Sequence, residues 1–113
     1  DGSYFFGNPA AVHYCARAYE LPVLFIILDN SAWGAVRHAV QEMYPEGRAV
    51  RLNNMPLTKL EAMVDYNKMC ASAGGYGERV EDPAELPKAL KRAKHAVTVE
   101  KRQALLHVIM AEA

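Results

Sequence analysis

The sequence predicts an α/β fold in which a parallel sheet has helices on both faces. Residues 21–28 form a short apolar run, whose β-branched and aromatic content is typical of a strand buried on both faces. Segments with helical periodicity lie on either side of this run, and two further strand-like segments follow at 76–80 and 104–110. Strands that alternate with helices in this way form parallel sheets with right-handed connections.

The composition indicates one small domain with a packed core, because 51% of the 113 residues are hydrophobic. Thirteen basic and thirteen acidic residues cancel, which argues against a dedicated nucleic-acid or membrane-surface binder. No apolar run approaches the roughly 20 residues that a transmembrane helix needs, and we expect no signal peptide. Cys15 and Cys70 lie in helical segments and are predicted to be buried, reduced thiols of a cytoplasmic protein.

The first half of the chain contains two predicted helices around the apolar strand. Asp1-Gly2-Ser3 is typical of a turn, and Asn8 with Pro9 predicts the start of a helix that extends to about Tyr19. Its predicted apolar stripe consists of Ala11, Val12, Cys15, Ala18 and Tyr19. After the strand at 23–28, apolar residues recur at helical spacing over about 33–44. Residues 46–60 lack a clear period and are predicted to form a long loop, with a short turn near Leu60.

The second half continues the alternation of helices and strands. Asp65 is predicted to cap a helix that ends at Gly74, a residue suited to the left-handed conformation. A short strand is predicted at 76–80. Residues 82–85, Asp-Pro-Ala-Glu, combine a cap, a proline at the first helical position and a glutamate three residues after the cap, which predicts a helix start. The last predicted strand covers 104–110.

The candidate functional residues lie in two predicted turns, one at Asp1-Gly2-Ser3 and the other at Asp29-Asn30. If a strand precedes Asp1, both turns lie side by side at the carboxyl ends of neighbouring parallel strands, where ligands bind in such sheets. The Asp1 carboxylate and the Asn30 amide oxygen are hard ligands that suit Mg²⁺ or Ca²⁺.

An anion site is predicted at the same place. Gly2 allows backbone N–H groups to approach an anion closely, and the helix that starts near Trp33-Gly34 directs its positive dipole end there. Mg²⁺ keeps few protein ligands and takes the others from phosphate and water. The two turns therefore suit a complex of Mg²⁺ with a diphosphate.

These residues resemble the thiamine-diphosphate motif, which is Gly-Asp-Gly and, one helix and one strand later, Asn-Asn. The likeness continues through residues 33–37, 74–77 and 81–86 and covers essentially the whole chain. It is strongest to acetolactate synthase-like and benzoylformate decarboxylase-like enzymes. The resemblance implies that residues 1–113 are the C-terminal part of a thiamine-diphosphate-binding domain, truncated at its N-terminus.

The resemblance assigns roles to seven residues. Mg²⁺ would be bound by the Asp1 carboxylate, the Asn30 side-chain oxygen and the Ala32 carbonyl. The residues implied to contact thiamine diphosphate are Gly2, Ser3, Asn30, Ala32, Trp33 and Gly34. Residues near 45–60 match a mobile segment that covers the active site in this family. The family also implies that the strand at 23–28 lies beside the one near 105–110, with 76–80 outside it.

This sequence departs from the family pattern in three ways. The leading glycine of the motif is missing, and Asp29 replaces the first asparagine. None of the glutamates matches the family's catalytic glutamate, which lies in a different domain, usually of a neighbouring subunit. We therefore expect no catalytic residue in this chain and no turnover by the chain alone. The resemblance further implies a 2-oxo acid substrate, upstream domains, a second subunit and a homo-oligomer.

Two alternatives of other classes remain open at this stage. The chain could be a non-catalytic α/β fragment or interaction module that has lost the cofactor site. It could also bind RNA through a basic cluster, although a solvated helix face explains that cluster better; its members are Lys88, Lys91, Arg92, Lys94, Lys101 and Arg102. The four histidines lack zinc-site spacing and are predicted to be surface or packed residues: His13, His38, His95 and His107.

Overall fold

The structure is a computed structural model that describes residues 1–111. Three parallel strands form one sheet in the order β1-β3-β2, where β1 is Leu24–Asp29, β2 is Tyr76–Val80 and β3 is Ala104–Ile109. The predicted strand order is confirmed, because the last strand lies between the other two. In the register of both pairs His107 is central, with Ile27 on one side and Arg79 on the other.

Helices occupy both faces of this sheet, as predicted. Those of the described residues are α1 (Gly2–Phe6), α2 (Pro9–Ala18), α3 (Gly34–Met43), α4 (Arg48–Arg51), α5 (Tyr66–Ser72) and α6 (Leu86–Thr98), the last preceded by a 3₁₀ turn at Pro83–Glu85. None of the helices in residues 1–111 combines the length and the hydropathy that crossing a membrane requires.

The strand β3 supplies both halves of the core, because successive side chains of a strand point to opposite faces. One half lies under α6, whose small residues allow it to pack closely on the sheet; its buried members are Val80, Ala89, Ala93, Ala96, Ala104, Leu106 and Val108. The other half lies under α5 and consists of Ile27, Tyr66, Cys70 and Leu105. The helices α5 and α6 therefore cover opposite faces of the sheet.

The predicted stripe of α2 is wrong, because its buried residues are Pro9, His13 and Ala16. Gln103 explains the change. Its Nε2 donates to the His13 carbonyl oxygen over 3.0 Å, so its Oε1 accepts from His13 Nδ1 over 2.7 Å. The other ring nitrogen of His13 is then an acceptor, and the Tyr4 hydroxyl donates to it over 2.6 Å. A fully paired polar network thus fastens α1 and α2 to the start of β3.

The first residues form the short helix α1 rather than a turn. Asp1 caps it, because its Oδ1 accepts from the N–H of Gly2 over 2.8 Å and its carbonyl accepts from Phe5 over 2.8 Å. Aromatic packing explains why the helix persists. Phe5 and Phe6 both meet Trp33 edge to face with ring centroids 6.4 Å apart.

Two of the other predicted caps differ in detail. Asn8 precedes α2 in the left-handed conformation, with φ at 56°, and its side chain makes no capping bond. The Asp65 carboxylate makes no capping bond to the backbone of α5 and pairs instead with the side chains of Lys68 and Arg79. Asp82 does cap its helix by accepting from the N–H of Ala84 over 2.9 Å. Gly74 has φ at 78°, as its predicted role requires.

The cysteines and histidines follow the predictions with one exception. Cys70 is buried, and burial raises the pKa of its thiol to about 11. Cys15 is exposed rather than buried, since it lies on the outer side of α2. His13 and His107 are packed residues of the interior. The basic cluster on and after α6 is solvated, as expected.

Gly77 in β2 allows α5 to lie directly against the sheet. A Cβ atom at this position would collide with the carbonyl oxygen of Asn67 in α5. We expect Gly77→Ala to lower the free energy of unfolding by about 1–3 kcal/mol, because the helix backbone must shift. Urea denaturation followed by circular dichroism measures this change.

Gly34→Ala is the matched control for stability. Its added Cβ would have no neighbour nearer than Asn30 Nδ2 at 3.8 Å, so the unfolding free energy should not fall. Equal midpoints for Gly77→Ala and the unchanged chain would contradict the close approach of α5 and β2.

Candidate functional site

The structure brings together the two turns that were predicted to be neighbours. The backbone nitrogen of Asp1 donates to the carbonyl oxygen of Leu28 over 2.9 Å, which holds Asp1 beside the end of β1. Its carboxylate reaches the second turn, where Oδ2 accepts from the N–H of Ala32 over 3.2 Å. A side-chain oxygen and a backbone N–H from residues 31 positions apart therefore meet at one edge of the sheet.

A side chain in the second turn sets the path of that turn. Oδ1 of Asp29 accepts from the N–H of Ser31 over 2.9 Å and lies 3.4 Å from the Ser31 hydroxyl. Ser31 itself has φ at 56°, in the left-handed region. An aspartate that bonds to the backbone two residues later is a known way to stabilise such a turn. The chain therefore reverses direction at Ser31 and directs Asn30 into the cavity described below.

A segment of the predicted long loop holds the same turn from the opposite side. Ala32 and Lys59 form an isolated antiparallel bridge. The Trp33 N–H donates to the Thr58 carbonyl over 2.8 Å, and the Leu60 N–H donates to the Ser31 carbonyl over 2.9 Å. The hydrogen bonds that Ser31 and Trp33 make to residues 58–60 lie along one edge of this segment. The N–H and carbonyl of Ala32, between them, therefore point to the opposite edge, toward Asp1.

A buried hydrogen bond between a histidine and a carboxylate lies beneath the turn. His107 Nε2 donates to Oδ2 of Asp29 over 2.7 Å, and the two side chains are 0% and 10% exposed. Burial raises the pKa of Asp29, but the hydrogen bonds from His107 and from the Ser31 N–H outweigh it, so this pKa lies below its ordinary value. The Tyr66 ring packs against His107 with centroids 4.8 Å apart, and burial raises the Tyr66 pKa.

The two turns enclose an open cavity of about 420 Å³ at the carboxyl edge of the sheet. A volume of this size is ordinary for a small-molecule site. All seven residues that the sequence analysis singled out line it: Asp1, Gly2, Ser3, Asn30, Ala32, Trp33 and Gly34. The first turn of α3 lines it as well, through Gly34, Ala35 and Val36, and no side chain caps this helix end.

Gly2 is required by the packing of the cavity wall. A Cβ atom at this position would lie 2.9 Å from Cε3 of Trp33 and 3.6 Å from the Ala32 carbonyl oxygen. The Trp33 ring therefore rests on the Gly2 backbone while it also lines the cavity.

Two features of the site were not predicted from the sequence. One is the hydrogen bond between Asp29 and His107, which are 78 residues apart. The other is the pairing of Thr58 and Leu60 with the turn, within a segment expected to be a loop. A signal existed for the first: Asp29 shares a strand face with Ile27, and a carboxylate on a buried face needs a partner.

Comparisons with known proteins give matches that extend over most of the chain. The family model of the C-terminal TPP binding domain of thiamine pyrophosphate enzymes matches residues 1–108. A probable acetolactate synthase of Mycobacterium bovis and the acetolactate synthase large subunit IlvG of Mycobacterium tuberculosis are each 33% identical to the chain over 75 residues. That alignment covers 66% of this chain and 12% of each relative, so the chain corresponds to a small part of their length.

A solved structure shows the same fold. The thiamine diphosphate-dependent 4-hydroxybenzoylformate decarboxylase of Rhodococcus jostii RHA1 matches with a TM-score of 0.72 and 21% identity, over 100% of this chain and 19% of that one. With this fold and the family match over residues 1–108, the chain belongs to the thiamine pyrophosphate enzymes and corresponds to their C-terminal TPP-binding domain.

Proposed function

We propose that this chain binds the diphosphate of thiamine diphosphate together with Mg²⁺, at the cavity between the two turns. The observation that carries the proposal is the contact between the Asp1 carboxylate and the backbone of Ala32, 3.2 Å apart at the carboxyl edge of the sheet. Family membership supports thiamine diphosphate as the cofactor. The oxygen donors and N–H groups that line the cavity support binding of its diphosphate together with Mg²⁺.

The oxygen atoms at the cavity fit a magnesium ion. The proposed ligands are the Asp1 carboxylate, the Asn30 amide oxygen and the Ala32 carbonyl, which are all hard oxygen donors. The side chains of Asp1 and Asn30 both line the cavity, and the Ala32 carbonyl faces the side on which Asp1 lies. Three protein ligands leave positions that phosphate oxygens and water would fill.

The remaining residues fit a diphosphate. The uncapped N-terminus of α3 presents the N–H groups of Gly34, Ala35 and Val36 at the cavity, where the helix dipole favours an anion. Gly2 keeps the opposite wall free of a Cβ atom, and the Ser3 hydroxyl can donate there. These residues bind and orient the phosphates, while the Trp33 ring closes the wall behind Gly2.

The reaction that the site would serve is cleavage or formation of a carbon–carbon bond next to a carbonyl. Bound thiamine diphosphate supplies the thiazolium carbon at which such chemistry occurs, and the protein supplies binding and orientation. The decarboxylase with the same fold is named for 4-hydroxybenzoylformate, a 2-oxo acid. We infer a 2-oxo acid substrate, a lyase or transferase reaction, and a decarboxylase-like or acetolactate synthase-like parent enzyme.

The chain would act as one part of a larger assembly. Its relatives are much longer, since the alignment covers 12% of their length, so we infer that upstream domains and a second subunit complete the site. Cys15 and Cys70 are both free thiols, which supports a reducing compartment such as the cytoplasm.

Thiamine diphosphate should bind to the 113-residue chain only when Mg²⁺ is present. Asp1→Ala and Asn30→Ala should each weaken this binding by about tenfold or more, because each removes a proposed metal ligand. Trp33 is the only tryptophan, so its fluorescence reports occupancy directly. A titration with and without EDTA makes the measurement.

Asn54→Ala is the control for the loss of an asparagine, because Asn54 is exposed and lies outside the cavity. It should bind the cofactor as the unchanged chain does. Binding that persists in EDTA, or that survives Asn30→Ala, would contradict the proposed Mg²⁺ site, whereas no binding by the unchanged chain would favour the non-catalytic interaction module.

The 113-residue chain should not turn over a 2-oxo acid, even when it is saturated with cofactor and Mg²⁺. The physical reason is that no glutamate here corresponds to the family's acid–base residue. Release of carbon dioxide from 4-hydroxybenzoylformate measures the reaction. Steady release over many turnovers would contradict the proposal that another part of the enzyme supplies the catalytic group.

A further inference from the structure

A buried chain of hydrogen bonds leads from β3 to the turn that carries two of the proposed metal ligands. His107 donates to Oδ2 of Asp29, and Oδ1 of the same carboxylate accepts from the Ser31 N–H. We propose that this His107–Asp29–Ser31 network is a positioning device that sets residues 30–32 in their metal-binding conformation before the cofactor arrives. The inference rests on the proposed function of the cavity and adds residues that touch neither metal nor phosphate.

The turn needs such a device because its conformation is unfavourable by itself. Ser31 has φ at 56°, and residues with a Cβ atom avoid this region. The hydrogen bond from its N–H to the Asp29 carboxylate compensates locally, over 2.9 Å. If the bond is lost, Ser31 is free to relax, and the Asn30 side chain and the Ala32 carbonyl no longer converge.

His107 keeps the Asp29 carboxylate in place. In the register of the sheet His107 lies beside Ile27, so Asp29 is two residues further along on the same face, within reach of the ring. His107 is fully buried in the central strand, so its position is rigid. A backbone hydrogen bond also holds Asp29 in position, because the Met110 N–H donates to the Asp29 carbonyl over 2.7 Å.

The same contacts make Asp29 a positioning residue rather than a metal ligand. One carboxylate oxygen accepts from the buried His107 side chain and the other from the Ser31 N–H, and Asp29, in contrast to Asp1, does not line the cavity. Asp29 is also mostly buried beneath the turn, with a side chain only 10% exposed. Its influence on a bound cation would pass through the backbone of the turn.

The test compares Mg²⁺ affinity in variants of the 113-residue chain in the presence of thiamine diphosphate, read by Trp33 fluorescence. Asp29→Ala and His107→Leu should each weaken Mg²⁺ binding about 10–100-fold, as loss of an outer-shell partner typically does. Asp29→Asn keeps an oxygen acceptor for the Ser31 N–H, and His107→Gln keeps a donor for Asp29. These two conservative variants should recover most of the affinity.

Val80→Ala controls for a general loss of stability. Val80 is 4% exposed in the core half under α6, so its truncation destabilises the fold. Val80 itself makes no contact with the turn at residues 30–32. Its affinity for Mg²⁺ should stay within about twofold of the unchanged chain, because distant sites act independently. Affinities within about twofold in Asp29→Ala and His107→Leu, with both folded by circular dichroism, would overturn the inference.

Amide hydrogen exchange tests the turn without any variant. The Ser31 N–H should be protected in the absence of Mg²⁺ and cofactor, because the network is formed beforehand. Protection that appears only after both are added would overturn the inference, even if a variant fails to fold. If the unchanged chain binds no thiamine diphosphate at all, the proposed function fails first, so the two failures are distinguishable.

Discussion

The pairing of β1 with the buried strand β3 is the interaction on which the rest of the structure depends. It sets the register that places Ile27 beside His107, and it continues past the strand ends through the bond between Met110 and Asp29. The turn after β1 and the cavity project from the end of this pair. A slip of one residue would move Asp29 to the opposite face and separate it from its histidine.

The two faces of the sheet are built differently. The face under α6 is an apolar layer of alanine, valine and leucine side chains. The other face contains two histidine networks, one joining His13 with Tyr4 and Gln103 and the other joining His107 with Asp29. Buried polar groups are costly unless they are paired, so the hydrogen bonds of these networks favour one arrangement of the elements over others, although Nδ1 of His107 has no partner among residues 1–111. The polar face is also the one that anchors both turns of the site.

Sequence reasoning predicted the fold class and the meeting of Asp1 with Asn30 because both follow from local patterns, whereas the roles of Ser3 and Ala32 came from the family resemblance. Apolar runs, proline positions and the rule for parallel strand ends place Asp1 near Asn30 without any knowledge of long-range contacts. The confirmed strand order instead came from the family resemblance. The inner face of α2 was predicted wrongly because an apolar stripe was expected, and a histidine is buried there instead.

The remaining features could not be predicted from local sequence patterns. The partner of His13 is 90 residues away, and the partner of Asp29 is 78 residues away. The helical character of residues 2–6 depends on aromatic packing against Trp33, which a search for turn residues does not detect. In each case the deciding contact joins segments that are distant in sequence, so only the assembled sheet reveals it.

The central place of β3 has a consequence for how the chain is made. β1 and β2 do not touch each other in the sheet, and each pairs only with β3, which begins at Ala104. Of the described strands, β1 and β2 therefore both leave the ribosome before β3, the strand that joins them. Non-local pairing of this kind is slow to form, and unpaired apolar strands are prone to aggregate. The three-stranded sheet therefore cannot be completed before β3, its last strand, has been synthesised.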